Sequence, residues 1–217
     1  MPYAARQAFR HGAENTVASS PGARTIMTAF HASFPTLFHV TDRAALPSIG
    51  HHGLLSAERL CTIFGVDGDL GENRDAWRSL ATQAGHAVLR RQGMRDAALR
   101  SRLDPSITLG EWRRFINGQV FLCPTRAAAL ALRRAEPGRD QVILACTTAA
   151  LTEAGCVLRF CAFNNGHIDR SPAHRRRLRR HADYRPVSAW APGTPIREVV
   201  IQEAIPVAVR FEPIIEE

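Results

Sequence analysis

The sequence contains no lysine: all 28 of its basic residues are arginine. So complete a bias points to a coding preference, and arginine at any one position then says less than usual about bidentate phosphate recognition. The net sign is unaffected. With 20 acidic residues the formal charge is +8, which suits an acidic partner such as nucleic acid and equally suits diffuse solubilising charge. No apolar run approaches the roughly 20 residues that span a bilayer, and the N-terminus lacks the apolar stretch of a secretory signal. The expectation is a cytoplasmic protein with no membrane partner. Cys-x-x-Cys pairs are also missing: Cys61, Cys123, Cys146, Cys156 and Cys161 are odd in number and mostly sit in apolar segments. Reduced core thiols are expected, and no metal site. G-x-G-x-x-G, Walker, H-E-x-x-H and G-x-S-x-G signatures are absent, which removes the common nucleotide and hydrolase motifs. No internal repeat is visible.

What is present is a chain of 217 residues with 45% hydrophobic content, enough for one large domain or a domain with an appendage. Residues 1–33 lack sustained periodicity and read as a loose N-terminal arm with room for one short helix; 34–217 read as a single domain. From Gly71 to Leu103, Trp77, Leu80, Ala84, Val88 and Leu89 recur among Ala, Leu and Arg, and the spacing predicts helices broken near Gly93. Thr108 with Glu111 three residues later predicts a capped helix ending in a turn at Asn117-Gly118. "QVFLC", "QVILACTT" and "CVLRFCAF" read as buried strands, "RAAALALRRA" and "TTAALTEAG" as helices. Residues 170–193 are basic and loop-like, and "PIREVVIQEAIPVAVRF" reads as two strand-like pieces separated around Pro206. Helices between strands, followed by a strand-rich end, give an α+β domain with one mixed or split sheet.

The segment Thr36–Leu60 holds the first candidates. Leu37, Phe38 and Val40 are strand formers, Thr41-Asp42 suits a turn, Pro47 suits the first turn of a short helix, and Gly53 suits the left-handed position that closes it. Strand alternation places His39 and Thr41 on one face, which is either a half-exposed edge with a hydrogen-bonded histidine or the wall of a site. Glu198, an acid among Ile196, Val199, Val200 and Ile201, either pays desolvation, pairs with a cation such as a neighbouring arginine, lies on an exposed strand face, or faces a cleft. The adjacent His51 and His52 belong to a helix end and are assigned no metal. "HRRRLRRH", with Arg175, Arg176, Arg177, Arg179 and Arg180, is a solvated face or a phosphate-binding run, and Tyr184 and Trp190 nearby could stack on bases.

Several of these pieces together resemble an ADP-ribosyltransferase fold. "LFHVT" followed by "LPSIGHHGLLS" is similar to the strand, His-x-Thr, Leu-Pro-x-Ile and Gly-Leu pattern of DarT-like toxins that ADP-ribosylate DNA. "VLRRQGM", "EWRRFINGQVFL", "FNNG" and "REVVIQEAIP" resemble a bacterial family of uncharacterised domains distantly related to them; the likeness spans about residues 36–207. The resemblance implies a split mixed β-sheet with flanking helices that binds NAD⁺, the ADP-ribose donor. His39, Thr41 and the Val40 backbone between them, with Gly53, Leu54, Phe121 and Asn165, would line the cofactor pocket. Glu198 matches the catalytic glutamate and Arg90 an arginine used near the cofactor. Phe121 departs from a polar or tyrosine-containing motif, "LRRQ" has a second arginine where an acid is usual, and "FNNG" replaces Asn-Ser-Gly. Ile196 stands where transferases that modify protein arginine carry Glu or Gln, which implies another acceptor: nucleic acid, DNA before RNA. An NAD⁺-hydrolysing or RNA 2′-phosphotransferase-like enzyme and a non-catalytic binding module on the same fold are the alternatives, and an antitoxin is a partner by analogy.

Overall fold

In a computed structural model the described residues are 21–66, 70–82, 85–165 and 178–214. They form an α+β chain. Its helices are α1 (Pro21–Ser33), α2 (Leu46–His52), α3 (Ala57–Ile63), α4 (Asp96–Arg100), α5 (Leu109–Asn117), α6 (Arg126–Arg134) and α7 (Thr148–Glu153). The strands are β1 (Thr36–Asp42), β2 (Leu54–Leu55), β3 (Arg78–Thr82), β4 (Gly85–Leu89), β5 (Gln119–Leu122), β6 (Gln141–Thr147), β7 (Leu158–Cys161), β8 (Arg185–Pro186), β9 (Glu198–Gln202), β10 (Ala204–Ile205) and β11 (Glu212–Ile214). No described helix is long and apolar enough to cross a membrane.

Two antiparallel sheets carry the architecture, one ordered β1-β6-β11 and the other β5-β9-β7-β8. They meet at a single backbone pair. Phe38 of β1 and Cys123, just after β5, exchange N–H···O bonds of 3.0 and 2.7 Å, and the ladder goes no further. Beyond that point the strand edges face each other unzipped.

Strand alternation distributes the apolar side chains over both faces of the second sheet. Val120, Leu122, Leu158, Phe160, Val199 and Ile201 join Leu37 and Cys146 in the main core, while Cys161 and Val200 pack on Trp112 and Ile116 of α5 and on Tyr184. Both faces are covered, which is why these strands read as continuous apolar runs. On the far side of β1 and β6, Val40 and Ile143 meet Ala129 of α6. At α5 the expected capping box forms: the Thr108 side chain accepts from Glu111 N–H at 3.2 Å, and Glu111 accepts from Thr108 N–H at 2.7 Å.

Four expectations need correction. The helices expected across 71–93 are instead the hairpin β3–β4, with Arg78 opposite Leu89 and Leu80 opposite Ala87. Leu80, Ala87 and Leu89 are buried against Cys61 and Phe64, and this burial on one strand face outweighs the helical propensity of Ala, Leu and Arg. Residues 21–33 of the expected N-terminal arm form a docked helix: Phe30 of α1 is fully buried, with its ring 5.5 Å from that of Trp190. The C-terminal segment breaks at Pro206 as expected but also at Glu203, whose φ of +63° separates β9 from β10, and 207–211, expected as a strand, form a turn before β11. Finally, Tyr184 and Trp190 are 1% and 3% exposed, so they are core residues and cannot stack on bases.

Candidate active site

The unzipped junction between β1 and β5 opens into a cavity of about 490 Å³. β1, β5 and β9 each contribute a polar group to it. On β1, His39 Nδ1 lies 2.9 Å from the Phe121 carbonyl of β5. A carbonyl only accepts, so Nδ1 carries the proton and Nε2 keeps its lone pair. The side chain thereby satisfies the carbonyl that a continued ladder would have used, while strand alternation aims the Val40 peptide toward the same gap. Desolvation by burial pulls His39 down from 6.5 to about 4; the Phe121 bond opposes this and the nearby Arg90 cation adds to it. The ring is neutral at physiological pH.

Glu198 opens β9, in register with Cys161 of β7, and its carboxylate borders the cavity. Oε1 accepts from Asn165 N–H at 2.8 Å, and Oε2 lies 3.8 Å from the Cys161 thiol. Desolvation raises Glu198 from 4.5 to about 7, against the lowering pull of the Asn165 bond, the Arg179 charge and the Cys161 thiol. The acid is therefore poised between its two forms near neutrality. Behind it, Asn165 Nδ2 donates to Tyr184 Oη at 2.6 Å, and Arg179 donates to Asn165 Oδ1 at 3.2 Å and to the Asn164 carbonyl at 3.0 Å.

The opposite wall is cationic. Arg90, just past β4, donates at 3.4 Å to both Gln141 Oε1 and the Leu132 carbonyl, with its guanidinium 5.1 Å from the Trp77 ring centroid. Arg74 donates to the Arg90 carbonyl at 2.8 Å and to Asn117 Oδ1 at 3.2 Å. The Asn117 amide also accepts from Gln92 at 2.9 Å and donates to the Leu70 carbonyl at 2.8 Å. Burial lowers both arginines from their ordinary value. Neither forms an ion pair among the described residues, an arrangement that leaves room for an anion.

His39, Val40, Thr41, Gly53, Leu54, Arg90, Phe121, Asn165 and Glu198, spread over 160 positions of sequence, all line this one cavity. The basic run divides. Arg175, Arg176 and Arg177 lie outside the described residues; Arg179 is 6% exposed and turned inward, and the Arg180 guanidinium is held by Asp104 at 2.6 Å. Arg74, Gln92 and Asn117 were not legible as site residues. Asn117 had a signal: with Arg113 it makes an i, i+4 polar pair on the buried face of α5, where polar side chains need partners.

The model of a family of unknown function, DUF7002, matches residues 35–211. The chain belongs to that family. No curated protein and no solved structure matches it.

Proposed function

We propose that the chain is an NAD⁺-dependent ADP-ribosyltransferase built on a split sheet, whose described strand pairs are antiparallel and not mixed as expected, with nucleic acid, DNA before RNA, as the acceptor. The observation that carries this reading is the meeting of Glu198 and His39 at one cavity where two sheets share a single backbone pair. Breaking the bond from ribose C1′ to nicotinamide sends the bonding electrons out with neutral nicotinamide and leaves oxocarbenium character on the ribose. A desolvated carboxylate beside it, Glu198, gains attraction as that charge grows. The attacking group of the acceptor bonds to C1′ and loses its proton to solvent.

The remaining groups suit the rest of the donor. The Val40 peptide, aimed into the gap between β1 and β5, can meet the carboxamide much as a neighbouring strand would. His39 Nε2 can accept from a ribose hydroxyl, and Arg90 and Arg74 can hold the pyrophosphate. Arginine as acceptor is disfavoured by Ile196, an apolar residue two places before Glu198.

The test is incubation of wild type and Glu198→Gln with labelled NAD⁺ and separate pools of DNA, RNA and protein, while following nicotinamide release. Label is expected in a nucleic-acid pool, falling by about 10²-fold or more in the mutant. Release without label would replace transfer by hydrolysis. Neither label nor release would make the chain a binding module.

A further inference from the structure

We propose that Arg179 is the positioning residue of Glu198, acting through the Asn164-Asn165 segment. The catalytic consequence rests on the function proposed above; the positioning itself does not. Glu198 Oε1 is aimed by one peptide N–H, that of Asn165, so its placement is only as good as the placement of that peptide. The Arg179 fork holds the segment at two points, the Asn164 carbonyl and Asn165 Oδ1. Tyr184 Oη takes the other end of the Asn165 amide.

Arg179 is itself clamped. Its N–H donates to the Arg102 carbonyl at 2.7 Å, its carbonyl accepts from Asp104 N–H at 3.1 Å, and its guanidinium lies 4.6 Å from the Phe163 ring centroid. Residues 102–104, through the Arg179 backbone, and 163–165, through its side chain, are thus tied by one residue to the peptide that holds the head of β9. A planar fork makes these two directed bonds at once, which an ammonium does not.

The charges leave the same residue responsible. The groups facing Glu198 are the Cys161 thiol from β7, the Cys123 thiol after β5, the Tyr184 phenol and Arg179. Burial pushes both thiols and the phenol up, so they stay neutral near pH 7. Arg179 is the charged group that acts on the carboxylate, at one remove and without a direct ion pair among the described residues.

The test uses the full chain without NAD⁺: a carboxyl ¹³C NMR titration, with Glu198 assigned by its loss in Glu198→Gln, alongside the Asn165 amide proton. In wild type the amide is expected to move with the Glu198 titration. In Arg179→Gln the Glu198 midpoint rises by about one pH unit, tenfold in the protonation ratio, and the amide no longer follows it. Asn165→Ala shifts the midpoint in the same direction, and the double variant shifts it no further than Arg179→Gln alone. An unchanged midpoint and amide response in folded Arg179→Gln overturns the proposal; if that variant does not fold, an unchanged midpoint in Asn165→Ala overturns it. In turnover, Arg179→Gln lowers kcat with little change in KM for NAD⁺, and its pH profile moves with the NMR midpoint. A wild type that shifts as described yet transfers no label would sink the enzyme reading and leave the positioning intact.

Discussion

His39 and Glu198 are displaced from their ordinary values in opposite directions; each displacement costs stability where the group is charged, and what nearly cancels is their pH dependence. A histidine lowered from 6.5 to about 4 binds fewer protons folded than unfolded, so its contribution to stability rises with pH between those values. A carboxyl raised from 4.5 to about 7 binds more protons folded, so its contribution falls as pH rises through that window. Removing one reveals the other. The stability of Glu198→Gln relative to wild type is expected to increase from pH 4.5 to pH 7, by up to about 3 kcal/mol. Urea denaturation across that range checks it, and a relative stability that is flat with pH would show that Glu198 titrates normally. The expected increase means that the site is held at a cost in stability that an amide at 198 does not incur.

At the scale of elements, Gly53 is where α2 must stop. Its φ is +81°, and a Cβ there would come within 2.3 Å of the Ile205 carbonyl of β10. The close approach allows Leu54 and Ile205 to pair, setting β2 beside the cavity. Gly53→Ala combines a left-handed strain with a backbone clash, and a loss of more than about 2 kcal/mol is expected in thermal or urea unfolding. A loss under about 0.5 kcal/mol would mean that β10 can simply move away. This element was legible because Pro47 and Gly53 punctuate it by local chemistry alone. The β3–β4 hairpin was not, since Leu80, Ala87 and Leu89 become a strand face only when Cys61 and Phe64 are there to cover them.

For the whole molecule, the charge of +8 is only partly available at the surface. The ion pairs of Arg43, Arg91, Arg113, Arg139 and Arg180 with Asp140, Glu136, Asp96, Asp42 and Asp104 take one charge of each sign and leave that sum unchanged, whereas Arg74 and Arg90 line the cavity and Arg179 is buried behind it. What remains suits a modest phosphate-binding surface. If about four phosphates are neutralised, log K should fall against log salt with a slope near −3.6, roughly a 150-fold loss between about 50 and 200 mM. Filter binding or anisotropy with a DNA duplex and an RNA strand measures it, and no salt dependence on either would remove nucleic acid as the acceptor.

Neighbouring residues alone were enough to mark the apolar-run strands, the Thr108 cap, the Gly53 stop, and the oddity of His39 with Thr41 and of Glu198 among valines. Each is a local pattern, written in neighbouring residues and their dihedral preferences. Only the tertiary structure decided that β1 and β5 share one backbone pair and then part, that Arg179 turns inward to the peptide holding Glu198, and that Arg74, Gln92 and Asn117 complete the cationic wall. Those outcomes depend on which buried polar groups find partners far away in the chain, and no spacing along the sequence encodes that.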